Sequence, residues 1–192
     1  LRLRLGELKL NTDIRTIFFE IKSRQSLSNP NSVGEILLSE FYRSIGLAEN
    51  VVVARIERRL QQLGLYEKFV AEYETSYGKP WQGPEGRDDL MSVRRRIAQL
   101  LPVVEPAEYP DEKTAKQAVK DMFDYQQLTA EGIADELVAW VSAQKTTGGK
   151  VAHLVFVIDE MGTFIGDSTD RISELNSLAE MIGNKGKGRV WL

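Results

Sequence analysis

Two adjacent carboxylates close the most continuous apolar run in this 192-residue sequence: Leu154, Val155, Phe156, Val157 and Ile158 lead directly into Asp159 and Glu160. A strand that is apolar on both faces is buried beneath helices, as in parallel α/β sheets. Ligands of such sheets gather outside the carboxyl ends of the strands. A carboxylate at that edge can hold Mg²⁺ through its waters, and Mg²⁺ bridges the β- and γ-phosphate oxygens of ATP. A second carboxylate one residue on can orient an attacking water. The pair therefore has the pattern of a Walker B strand, with Asp159 as the Mg²⁺ and ATP partner and Glu160 as the catalytic water activator. The plain alternative is that the two acids cap the next turn. No Gly-x-x-x-x-Gly-Lys-Ser/Thr loop accompanies them: Gly148-Gly149-Lys150 runs into Val151 and a strand, and Gly78-Lys79 is followed by Pro80. Without that phosphate cradle the chain alone is not expected to hold ATP tightly.

Composition narrows the other chemistries. The chain has no Cys and one His, which excludes disulfides, cysteine nucleophiles, cysteine-rich zinc sites and any site built on two histidines. The net charge of −3 argues against a basic footprint over the whole domain, though a local patch is compatible with it. No apolar run approaches the roughly 18 residues of a membrane span, and Leu1 to Leu10 interleaves leucine with charge instead of forming a secretory signal. The expected compartment is the cytoplasm, with no membrane partner.

Three further features are weighed against simpler roles. His153 opens the apolar strand at the end away from the acids and is expected to be structural. Arg94, Arg95 and Arg96 are consecutive on a helix, so they spread around it and are expected to be solvated or ion-paired. Lys185, Lys187 and Arg189 share a glycine-rich turn and form a candidate contact with DNA or a neighbouring subunit. Trp81, Trp140 and Trp191 are expected to pack in the core.

Around these residues the elements alternate in a way that gives an α/β fold class. Arg15 to Ser23 reads as a strand, and a helix follows from a cap at Asn31 or Ser32 to about Ile45. Helical periodicity then marks Val52 to Leu63, Leu65 to Tyr77, Leu90 to Leu101 (closed by Pro102) and Asp111 to Phe123. Thr129 is a good cap for a helix carrying Ile133, Leu137, Trp140 and Val141. After the Val151 to Ile158 strand, a helix from about Asp170 to Ile182 is expected to bury Ile172, Leu175, Leu178, Ala179 and Ile182. A turn over Gly183 to Gly188 then leads into a last strand from Arg189 to Leu192. The expected organisation is an early strand and helix over 1–50, a mainly helical insertion over 51–128, and the Walker B strand, its helix and the start of another strand over 129–192.

The stretch HLVFVIDEMGTFIGD (His153 to Asp167), the helix after it and GNKGKGRVWL (Gly183 to Leu192) resemble the large P-loop ATPases of bacterial BREX-type phage-defence systems, BrxC and its relative PglY. In that family Asp-Glu is followed by a small apolar residue, Gly, a polar residue, an aromatic and Ile; here these are Met161, Gly162, Thr163, Phe164 and Ile165. A Gly-Lys-Gly turn and a Val-Trp strand match Gly186, Lys187, Gly188, Val190 and Trp191. The likeness lies in the first and last quarters of the chain. It implies a P-loop NTPase-like, AAA+-like parallel sheet with a helical insertion, in a longer protein whose Walker A lies upstream of Leu1. It further implies ATP and Mg²⁺ as cofactors in the complete protein, with a homo-oligomer, defence-complex proteins and DNA as partners. The complete protein is then expected to hydrolyse ATP and the isolated chain to be inactive. The alternative is a nucleotide-dependent scaffold or oligomerisation module with little catalysis; a third reading is an α/β interaction domain whose Asp-Glu pair is only a cap.

Overall fold

The computed structural model describes residues 12–24, 32–124, 128–144 and 147–192. The chain divides into two compact units, one formed by residues 1–41 and 128–192 and the other by residues 42–127. The leucine-and-charge stretch from Leu1 to Leu10 and the cap at Asn31 lie outside the described residues.

The first unit is a mixed α/β body around a three-stranded parallel sheet. β1 (Thr12–Glu20) pairs along its full length with β2 (Val151–Asp159), from Thr12 beside Val151 to Glu20 beside Asp159. β3 is short (Val190–Trp191) and pairs on the other side of β2, with Val190 beside Leu154. The apolar run is thus the middle strand of this sheet. β1 starts earlier than the expected Arg15 and ends at Glu20; Lys22–Arg24 forms a 3₁₀ turn instead of more strand.

Side-chain alternation sorts the sheet into two faces. Ile17, Phe19, Leu154, Phe156 and Val190 are buried on one face, against which α6 (Ala130–Ala143) packs. Thr129 caps α6 through the Gly132 amide at 3.0 Å, as its sequence suggests. α1 (Val33–Ser44) begins in this unit and continues into the second. Ser32 accepts the Glu35 amide at 3.1 Å and so caps α1.

After β2 come a short helix absent from the sequence expectation, α7 (Met161–Ile165), and then α8 (Thr169–Gly186). α8 runs through the glycines expected to form a turn and ends where Lys187 takes a left-handed conformation. Of its expected apolar stripe, Leu178 and Ile182 are buried, whereas Ile172 is 43% exposed and Ala179 is also exposed.

The second unit is helical. α2 (Val51–Gln62) starts at Asn50, whose side-chain oxygen accepts the Val52 and Val53 amides. α3 (Tyr66–Tyr77) ends at Gly78 in the left-handed region. The loop after it folds back, and Trp81 lies 4.9 Å from the ring centres of both Phe69 and Tyr73. α4 (Leu90–Val104) passes through Pro102 instead of stopping there. Lys68 donates to the Val103 and Val104 carbonyls, so the last turn is satisfied by a side chain from α3. α5 (Glu112–Asp124) is capped by Asp111, which accepts the Thr114 amide at 2.8 Å.

The centre of this unit is a buried carboxylate. Glu57 accepts hydrogen bonds from the Ala48 amide (2.6 Å), Trp81 Nε1 (2.7 Å), the Tyr66 hydroxyl (3.1 Å) and Arg87 (3.1 Å). Four donors converge on one anion, which offsets the cost of removing its charge from water.

Candidate functional site

Asp159 and Glu160 lie at the carboxyl end of the middle strand, both exposed. The Asp159 backbone still belongs to the sheet, because its carbonyl accepts the Ile21 amide at 3.2 Å. Its side chain turns toward the following residue, and Oδ1 accepts the Glu160 amide at 2.8 Å. Glu20, its register neighbour on β1, brings a further carboxylate to the same edge.

Glu160 has φ 59° and ψ 18°, a left-handed conformation that only one other described non-glycine residue, Lys187, shares. L-residues adopt it at a cost of roughly 1–2 kcal/mol relative to glycine's freedom. The bend stops the strand and starts α7, whose first turn closes with the Phe164 amide on the Glu160 carbonyl at 3.0 Å. Thr163 donates its hydroxyl to the Glu160 carboxylate at 2.8 Å, and Lys22 Nζ stands 3.7 Å away. The Lys22 and Glu160 side chains are 40% and 45% exposed, so water reaches the carboxylate. Behind this edge Phe164 is buried, with the Arg171 guanidinium 4.3 Å over its ring and donating to its carbonyl. The exposed acids therefore stand on a packed base.

Sequence reading missed Glu20, Lys22 and Thr163 as neighbours of the pair. The offset from Glu160 to Thr163 is a capping distance and could have suggested their contact; the position of Lys22 depends on β1 lying beside β2, which no local pattern encodes.

Among the described residues no group of three or more His, Cys, Asp or Glu could hold a metal ion. The exposed Asp159 carboxylate has the chemistry expected of an arrangement in which Mg²⁺ keeps several waters and relies on one or two carboxylates together with substrate phosphates.

The glycine-rich turn divides its cations. Lys185 Nζ bonds Asp135 at 2.7 Å and Glu131 at 2.9 Å on α6, and these bonds hold its ammonium above the usual lysine range. Arg189 donates to the Ser142 hydroxyl at 3.0 Å. Lys187 is exposed at the left-handed end of α8, at the amino end of β3 and so away from Asp159.

Two of the three consecutive arginines make contacts within the second unit, and Arg95 is exposed. Arg96 bonds the Tyr73 hydroxyl and the Glu85 carbonyl, both at 2.9 Å, and Arg94 lies over the Phe123 ring and 3.9 Å from Asp124. His153 lines a cleft of about 270 Å³ with Asp13, Arg15, Trp140 and Gln144, among others, at the amino end of the sheet. Trp81 is buried as expected, but Trp191 is 55% exposed.

No family model matches the chain. No solved structure matches it either. No helix among the described residues is long and apolar enough to cross a membrane.

Proposed function

We infer that this chain is the Walker B part of an ATP-binding and hydrolysing domain with a P-loop, AAA+-like core, in a phage-defence ATPase that works with DNA or a defence complex. The observation that carries the reading is the conformation of Glu160. A left-handed bend directly after the middle strand suits glycine or asparagine, yet the residue there is a glutamate whose carboxylate stays open to water. Strain of this kind concentrates at functional sites. The parallel sheet supports the reading, since its middle strand ends in Asp159 and its ligand edge is open to solvent.

In this reading Asp159 binds the waters of the nucleotide's Mg²⁺, which when bound supplies charge neutralisation at the phosphates. Glu160 accepts a proton from the attacking water, with Thr163 and Lys22 orienting its carboxylate between turnovers. The sequence carries no Gly-x-x-x-x-Gly-Lys-Ser/Thr loop, so this reading requires a phosphate cradle supplied by another segment of the parent protein. DNA contact by the glycine-rich turn then falls mainly to Lys187, because Lys185 and Arg189 are engaged by α6.

The test is Mg-ATP turnover by the intact polypeptide beside its Glu160→Gln variant, with and without DNA. Binding that persists while turnover falls by about 100-fold or more is expected for loss of a general base. Equal turnover in both would remove Glu160 from the chemistry. Nucleotide binding without turnover in either would favour the scaffold reading.

A further inference from the structure

In the second unit, α3 and the loop after it enclose an open groove of about 550 Å³. Val70 and Ala71 give it an apolar floor, and Tyr66 and Pro80 line it further. Glu67 and Glu74 bring exposed carboxylates to it. These two acids stand two helical turns apart, about 10.5 Å along α3, with the apolar residues between them. Neither has an ion pair among the described residues. Such a groove fits an apolar side chain with a cation one turn away.

The same unit presents that pair on another helix. Met91, in the first turn of α4, is 95% exposed, and Leu90 beside it is 45% exposed. Arg95 follows Met91 by four residues and is also exposed, so the two share one face of α4. Arg95, like the two glutamates, has no ion pair among the described residues. Because Met91 is open to water, it does not fill the groove of its own chain.

The spacings agree. In the groove, each acid lies one turn from the apolar centre. On α4, the cation lies one turn from the methionine. With Met91 seated against Val70 and Ala71, Arg95 comes beside Glu67 or Glu74. Methionine is unbranched and adapts to an irregular recess, and the carbon stem of arginine can lie on apolar surface while its charge stays in water.

We propose that this groove takes the Met91–Arg95 edge of α4 from a second copy of the chain. The contact is head-to-tail: one copy offers its groove and the next its α4 edge. Each copy keeps one of the two surfaces free, so the contact propagates into a ring or an open row. One methionine, one leucine and an arginine stem bury less than the roughly 800 Å² per partner of a stable dimer. The contact is therefore weak alone and takes hold where copies are already held close. Neither surface includes Asp159 or Glu160.

The test mixes two forms of this chain, which has no cysteine of its own. The probe form carries a diazirine photocrosslinker on Gln82→Cys, at the groove. The target form is grown in heavy isotopes, so mass shows which copy a captured peptide comes from. On irradiation the probe should capture the heavy tryptic peptide Asp88–Arg94, which contains Met91. Met91→Ser in the target should lower the yield about tenfold or more, the scale of burying such a side chain. Met91→Leu should keep the yield within about threefold. Met91 and Arg95 are both exposed, so their substitution leaves the core untouched.

Charge reversal gives the second readout. Arg95→Glu in the target, or Glu67→Lys with Glu74→Lys in the probe, should each lower the yield about threefold or more. Combining the reversed probe with the reversed target should restore it. Capture of light peptides alone would overturn the proposal in favour of a segment of the same chain in the groove. Capture of a different heavy peptide, or no capture at the highest soluble concentration, would overturn it too. So would an unchanged yield with Met91→Ser, or reversed charges that fail to restore each other.

Discussion

The carboxylate of Glu174, in the middle of α8, reaches the first turn of α1 and lies 2.9 Å from the amide of Gly34. It also accepts the Val33 amide at 3.0 Å and the Ser32 hydroxyl at 2.8 Å. An acidic side chain at a helix amino terminus satisfies orphan amides and meets the positive end of the dipole. Here the anion comes from the helix that follows the Asp159–Glu160 edge. It fixes α1 to α8 at the point where Gly34 allows close approach: a Cβ there would fall 2.6 Å from Ile133 Cδ1 and 3.2 Å from Glu174 Oε1.

Glu174→Ala should destabilise the first unit by about 2 kcal/mol, the scale of hydrogen bonds to a charged group. Gly34→Ala should cost about 1 kcal/mol or more through displacement of Ile133 and Glu174. Urea unfolding measures both, and hydrogen exchange at Val33 and Gly34 should accelerate in Glu174→Ala before the sheet opens. Unchanged exchange at those two amides would show that the carboxylate does not hold the turn.

Removing Glu57 should be the most damaging single change in the helical unit. Glu57→Ala leaves the Arg87 guanidinium without this acceptor and strands the Trp81 and Tyr66 donors, for a loss of about 3–5 kcal/mol. Trp81 fluorescence should shift to the red as the loop detaches. A loss under about 1 kcal/mol would mean that water replaces the carboxylate readily.

Tyr66, Tyr77 and Tyr109 each titrate above the ordinary tyrosine range, chiefly because burial disfavours the phenolate, with the Glu57 charge adding to the effect at Tyr66. A proton held more tightly in the folded state stabilises it below the unfolded pKa, and that stability is lost as pH rises through the folded values. The urea midpoint should therefore fall from about pH 10 upward. Tyr66→Phe should make that fall shallower; an identical slope would locate the titration elsewhere.

Glu160→Gly relaxes a left-handed backbone and should raise stability by about 0.5–1 kcal/mol. If Glu160 is the water activator, the same change abolishes turnover in the intact polypeptide, so stability and activity move in opposite directions. Thermal melts of both chains decide it. A destabilised variant would mean that the contacts to Thr163 and Lys22 outweigh the strain.

At the glycine-rich turn, Lys187→Glu should weaken DNA binding by the intact polypeptide without lowering the melting temperature of this chain. Lys185→Ala should lower the melting temperature instead, because Lys185 joins α8 to Asp135 and Glu131 on α6. Salt titrations separate the two, since a lost phosphate contact reduces the salt dependence of binding by about one unit of slope. Equal DNA binding by both variants and the parent would end the DNA assignment.

What was legible in the sequence was carried by periodicity. The strand from Val151 stands out because five consecutive apolar residues cannot all face one side, and the helices of the second unit appear through spacing and through glycine at their ends. The α/β class followed from those two signals. Glu57 was invisible because it lies among Val51 to Leu60 as any helical glutamate would, and its burial depends on Trp81 folding back from a loop. The contact of Lys68 with the Val103 and Val104 carbonyls beyond Pro102 depends on α3 lying beside α4, and the exposure of Ile172 and Trp191 on which surfaces have neighbours. The Asp159–Glu160 pair was legible as two residue types after a strand. The bend at Glu160 was not, because glutamate carries no signal for a left-handed conformation, and the approach of Lys22 was not, because it arises from the parallel pairing of segments far apart in the chain.

That pairing also bears on how the protein is made. Thr12 must find Val151, and between them lies the whole helical unit. During synthesis β1 leaves the ribosome long before β2 exists, whereas the helical unit is continuous in sequence and rich in near-neighbour contacts. Loop-closure cost grows slowly with length, so a long intervening segment slows this pairing more than it weakens it. Failure of the helical unit to fold would leave β1, with Phe18 and Ile14, as an unpaired apolar strand open to misassembly with other nascent chains.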